Sequence, residues 1–89
     1  MIEGTLYKRV VSVTHVYLGP AADRFIARQV QNHLNKQPED LCAKDLEKLI
    51  DWIRMAVSLL TEDNEIIEEY IQQLTLLTRQ TDKSVYNRA

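Results

Sequence analysis

His33 and Cys42 lie nine residues apart and form the chain's one imidazole–thiol pair close in sequence. A thiol becomes a nucleophile or redox centre when its pKa falls, and a helix start can help lower it. Cys42 directly precedes Ala43-Lys44-Asp45, which reads as a helix start, so an activated cysteine is possible by residue type. The plainer reading is a thiol standing where a Ser or Thr would cap the helix, an imperfect cap because sulfur is a weak acceptor. His33 follows Ile26 by seven residues and Val30 by three, at the edge of an apolar stripe. It reads as a half-buried histidine with a backbone or water partner. His15 reads as a helix-surface residue. No pair of these residues has the spacing of a zinc site, such as Cys-x-x-Cys or His-x-x-x-His. No metal or cofactor is expected, and no catalytic residue is assigned.

Other chemistries are weaker by type. Glu62-Asp63 and Glu68-Glu69 are paired carboxylates, but general acid–base work needs one of them in a setting that raises its pKa. Clustered at a helix start, they read as a solvated face that complements the helix dipole. The segment "LGPAADR" offers a helix start near Arg24, yet Pro20 removes one of the N–H donors a phosphate would use. Tyr7, Tyr17, Trp52 and Tyr70 could line a small-molecule pocket, although aromatics at helical spacing are usually core. A ligand-binding protein or minor enzyme built on Cys42, His33 and these rings is therefore the first alternative.

The elements that must position these residues follow from the apolar spacing. Residues 5–18 carry a strand-like run of β-branched residues, but Leu6, Val10, Val13 and Tyr17 fall on one helical stripe. Nothing later in the chain reads as a pairing strand, so a helix is expected; an edge strand meeting another chain is the alternative. Gly19-Pro20 then ends the first helix and starts a second at Pro20, since proline disfavours helix in the residue before it and suits a helix's first position. Ala21 and Ala22 let the corner formed by Gly19, Pro20, Ala21 and Ala22 pack closely. The second helix, to about Leu34, shows Ala22, Phe25, Ile26, Gln29, Val30, His33 and Leu34 on one side. Asn35, Lys36 and Pro38 are stop signals. A third helix covers about Ala43 to Leu60. Its stripe is Leu46, Leu49, Ile50, Ile53, Ala56, Val57 and Leu60, widened by Trp52, Met55 and Leu59, so it is expected to be central. Thr61 is the expected cap of a fourth helix, to about Thr78, burying Ile66, Ile67, Tyr70, Ile71, Leu74 and Leu77.

Eighty-nine residues make one domain. Hydrophobic residues at 45% and charged residues at 27% are ordinary globular usage, and two glycines and two prolines leave few breaks. The expected fold is all-α, a four-helix bundle-like domain over residues 1–80 with short connections and a mobile C-terminal tail over 81–89. No apolar run approaches the roughly 18 residues of a membrane span. A lone cysteine fits a reducing compartment, so a cytoplasmic location is expected.

The net charge of −2 argues against non-specific nucleic-acid binding. Residues 1–36 are nonetheless basic (Lys8, Arg9, Arg24, Arg28 and Lys36 against Glu3 and Asp23), and residues 37–81 are acidic. A helix-turn-helix reading of the second and third helices is the second alternative. It is opposed by the long connection and by Asp45, Glu47 and Asp51 on the mostly apolar third helix.

The stretches "YLGPAADRFIARQV" and "DLCAKDLEKLIDWI" resemble a small helical domain of unknown function appended to bacterial signalling proteins, serine/threonine kinases among them. The resemblance spans roughly Val13 to Leu60 and rests on the glycine–proline–alanine corner and the following helix. It implies a non-catalytic interaction module and carries no catalytic residues over; no kinase or receiver segment accompanies it here. The expected function is accordingly a protein–protein interaction module or small adaptor in bacterial signalling or regulation, self-associating as a homodimer or bound to a protein partner. Val11, Val16 and Leu18 would supply an apolar patch, and Glu65, Glu68 and Glu69 an acidic one for a basic partner.

Overall fold

The computed structural model describes the backbone of residues 5–88 and the side chains of residues 6–79. Among the described residues four α-helices follow one another: α1 (Thr5–Leu18), α2 (Ala22–Leu34), α3 (Ala43–Ser58) and α4 (Asn64–Arg88). No strand occurs among the described residues. Both α1 and α3 pack against α2 and α4. The longest dimension of 42 Å is set by α4, whose 25 residues rise about 37 Å.

The β-branched run in residues 5–18 is helical, because burial outweighs local propensity. Leu6, Val10 and Thr14 form its buried row, while Val13 and Tyr17 of the expected stripe are half-buried. Thr14 is polar and fully buried, and its hydroxyl has two partners. It donates to the Val10 carbonyl at 2.8 Å and lies 2.6 Å from the Tyr70 hydroxyl. That second bond ties α1 to α4.

Gly19 ends α1. Its φ of +70° is a left-handed conformation that an L side chain adopts only with strain, although a Cβ there would meet no neighbour. The second helix does not begin at Pro20 as expected. Gly19–Ala21 makes a 3-10 turn, closed by the Ala22 N–H on the Gly19 carbonyl, and α2 starts at Ala22, two residues after Pro20. Only half of the alanine pair packs closely: Ala22 is fully buried and Ala21 is exposed. On α2, Ala22, Ile26 and Val30 are buried, and Phe25, Gln29 and Leu34 are half-buried. Asn35 closes the helix at φ 57° and ψ 39°, a role Asn fills second to Gly.

A second 3-10 turn, Pro38–Asp40, packs against α1 and α2 and leads into Leu41, which is buried in the core. Helix α3 turns Leu46, Leu49, Ile53 and Val57 inward. It ends at Ser58, and the chain leaves through bonds from the Leu60 and Thr61 N–H groups to the Val57 carbonyl. Thr61 is not the cap of α4. The Asp63 carboxylate accepts from the Glu65 and Ile66 N–H groups at 3.1 and 3.3 Å, and Thr61 instead accepts from the Asp63 N–H at 3.1 Å. An ionised carboxylate at the positive end of the helix is the better acceptor. Inside, α4 buries Ile67, Tyr70, Ile71, Leu74 and Leu77, with Thr78 added and Ile66 left 41% exposed. The helical backbone continues to Arg88, well past Thr78. The mobile tail expected over 81–89 falls outside the residues whose side chains are described.

Candidate functional site

The chemistry-bearing residues are held apart, each by its own partner. His33 is exposed rather than half-buried, and its ring stacks on Trp52, with centroids 4.1 Å apart and planes 9° from parallel. Cys42 is exposed and its thiol donates to the Asp45 carboxylate at 3.3 Å. It precedes α3 in extended conformation, and its carbonyl accepts the first helical bond, from the Leu46 N–H at 2.9 Å. The thiol makes no bond to the backbone. Capping runs the other way: Asp45, three residues on, receives the Cys42 backbone N–H as well as the thiol, half of a capping box. Lys36 completes the cluster, 2.6 Å from the Asp45 carboxylate. Burial pushes the Asp45 carboxyl up, but the bonds from Lys36 and Cys42 outweigh it and hold the group below its ordinary value. The Asp45 carboxylate in turn holds Lys36 in its charged form. This cluster fastens the 35–42 connection to α3 and leaves the thiol in the role of a donor.

Among the described residues the aromatic side chains have separate partners. Tyr70 is fully buried, and burial pushes its hydroxyl up to about 12 despite the bond with Thr14. Tyr17 packs on it at 5.0 Å; burial and then the Glu69 carboxylate raise its pKa. Tyr7 donates to the carboxylate and carbonyl of Asp23; burial and then that carboxylate raise the Tyr7 pKa. Trp52 is the exposed ring among the described aromatic residues. Among the described residues no group of three or more His, Cys, Asp or Glu side chains could hold a metal ion. No helix among them is long and apolar enough to cross a membrane.

The residues expected to meet a partner are divided. Val16 is 78% exposed, whereas Val11 packs against the core and Leu18 is half-buried. Glu65, Glu68 and Glu69 are all exposed on α4. Glu68 pairs with Arg54 of α3 and Glu69 accepts from Tyr17, which leaves Glu65 with its carboxylate towards solvent. Arg24 and Arg28 are exposed on α2.

The largest apolar exposure lies elsewhere, on α3 and its C-cap residue Leu59. Trp52 is 46% exposed, Met55 60% and Leu59 87%. These three, expected to widen the buried stripe, lie outside, and so does Leu60 of the expected stripe itself, 62% exposed. At about 100° per residue, Met55 stands roughly 160° around the cylinder from Ile53. A helix with two packed neighbours covers one side only, so α3 is not the central element its composition suggested. The angular spread of its apolar residues, wider than one face, was the signal. Compared with protein-family models, curated proteins and solved structures, the chain matches none of them.

Proposed function

We propose that this chain is a non-catalytic protein-interaction module, a small cytoplasmic adaptor that self-associates or binds a protein partner. The observation that carries the reading is the outward row Trp52, Met55 and Leu59. The core is complete without these residues, and soluble chains rarely spend three large apolar side chains on one outer face without a partner. The pairing of α1 and α3 with α2 and α4 supports a four-helix, bundle-like scaffold behind that face. The exposed acids Glu65, Glu68 and Glu69, beside Val16 as a separate apolar point, supply a second surface suited to a basic partner. A role in bacterial signalling rests on the resemblance of the corner and the following helix.

Cross-linking the tagged full chain in its native cell, followed by mass spectrometry, tests the reading. A protein captured by wild type and lost on charge reversal of Glu65, Glu68 and Glu69 supports a partner-bound adaptor. Capture of nothing, together with a monomer at every concentration, overturns the module reading.

A further inference from the structure

The outer row of α3 has polarity as well as apolarity. Lys44, Lys48, Trp52, Met55 and Leu59 follow one another at four- and three-residue steps along one exposed face. The row begins with two cations and runs, beyond Leu59, into the exposed Glu62 and Asp63 of the 61–63 connection. A surface with a basic end, an apolar middle and an acidic end complements a reversed copy of itself.

We propose that two copies of this chain pair through α3, antiparallel and about a two-fold axis lying between Trp52 and Met55. The inference rests on the module reading and names its partner. In this register Trp52 meets the partner's Met55, and the stem of Lys48 covers the partner's Leu59. The ammonium groups of Lys44 and Lys48 then lie level with the partner's Glu62 and Asp63. Asp51 faces the partner's Ala56, and Asp45, level with the partner's Glu62, already has its carboxylate paired with Lys36 at 2.6 Å. A parallel pairing would set Lys44 and Lys48 against their own copies and Glu62 against Glu62, which opposes it. The same patch on both copies makes a closed, isologous dimer and leaves no open end for a filament. His33 contributes by holding the Trp52 ring flat through the stack, so less side-chain freedom is lost on pairing. The row is small against the roughly 800 Å² per partner of a standard interface, so pairing is reversible and concentration-dependent.

Sedimentation equilibrium of the full chain from low micromolar to millimolar concentration tests this, with circular dichroism to confirm that each variant folds. Wild type is expected to pass from monomer to dimer. Met55→Glu, at a solvent-facing site, is expected to weaken the dimer by at least about 100-fold with helicity intact. Lys48→Glu is expected to weaken it several-fold, and adding Glu62→Lys in the same chain to restore it, a rescue that only the antiparallel register gives. A dimer indifferent to Met55→Glu overturns the surface while leaving self-association, and with it the module reading, standing. A dimer lost with Met55→Glu but not rescued by the charge exchange overturns the register. A wild-type monomer throughout, with a foreign protein captured through Met55, overturns the self-pairing and keeps the module.

Discussion

Helix α3 carries two apolar rows that differ in fate. Leu46, Leu49, Ile53 and Val57 are buried, while Trp52, Met55 and Leu59 stand in solvent on the far side of the same cylinder. Nothing in the side chains themselves separates them. What separates them is the number of neighbours, because α2 and α4 cover one side of α3 and leave the other open. The inner row contributes to folding, and under the proposed pairing the outer row contributes when a second copy arrives. Substitutions that compare the two should therefore report in different assays.

The largest contrast in stability is between Ile53→Ala and Met55→Ala. Ile53 is fully buried, so truncation removes its transfer energy and leaves a cavity that close packing fills only in part. The expected cost is about 2–5 kcal/mol in denaturant unfolding. Met55→Ala should stay within about 0.5 kcal/mol of wild type, as surface changes do. Equal losses at the two positions would mean that the outer row is already covered in the isolated chain.

A polar group on the inner side gives the next largest effect, and it appears only at high pH. Tyr70 is fully buried and its hydroxyl pKa stands at about 12 against an ordinary 10.0. Between these values the unfolded chain releases a proton that the folded chain keeps, so unfolding is favoured as pH rises. The stabilisation is complete below pH 10 and is lost on the way to 12. Two units correspond to roughly 2–3 kcal/mol. Tyr70→Phe should remove that part of the alkaline loss. It should cost about 1 kcal/mol at neutral pH, since Thr14 retains the Val10 carbonyl as a partner. Urea titrations of both proteins at neutral pH and near pH 11 measure the difference.

These contrasts also show which parts of the structure could be read from the residues. The inner rows follow helical periodicity, so Leu6 and Val10, Ile26 and Val30, and Leu46 to Val57 were legible. Periodicity even decided for helix over strand in residues 5–18 against β-branched propensity. Thr14 escaped because a hydroxyl counts as polar until the Val10 carbonyl and Tyr70 are brought to it. The outer row of α3 escaped for the opposite reason: hydrophobicity says that a residue can be buried, and only the packing of other helices says whether it is. The exposure of Glu65, Glu68 and Glu69 was thus legible, and that of Trp52, Met55 and Leu59 was not. The helix starts were half legible, since Thr61 and Asp63 both have capping chemistry and the choice between them lies in backbone geometry.

That choice gives a smaller effect. Asp63 bonds two N–H groups at the head of α4, and α4 forms the other wall of the inner row. Asp63→Ala should cost about 1 kcal/mol by denaturant unfolding. Thr61→Ala should cost less, because it removes only the 3.1 Å bond that Thr61 accepts from the Asp63 N–H. The reverse order would return the cap to Thr61. A dimer weakened by either change more than stability is would place the 61–63 connection at the contact.

The smallest effect on stability falls on the outer row and is the most specific optically. Trp52 is the chain's one tryptophan, so its fluorescence reads a single position. In the free chain one side of the ring lies against His33 at 4.1 Å and 46% of the residue is exposed. His33→Ala removes the stack from an exposed place, where ring pairs contribute little, and should change stability by no more than about 0.5 kcal/mol. Its effect on Trp52 should be larger: emission moves to longer wavelength and anisotropy falls as the ring gains water and freedom. Raising the concentration of wild type should move emission the other way as the partner's Met55 covers the ring, and Met55→Glu should abolish that shift. The inner row contributes nothing to this signal, because Ile53 and its neighbours carry no indole. An emission maximum indifferent both to His33→Ala and to concentration would mean that Trp52 is neither held by α2 nor covered by a second copy, and the distinction between the two faces of α3 would lose its functional half.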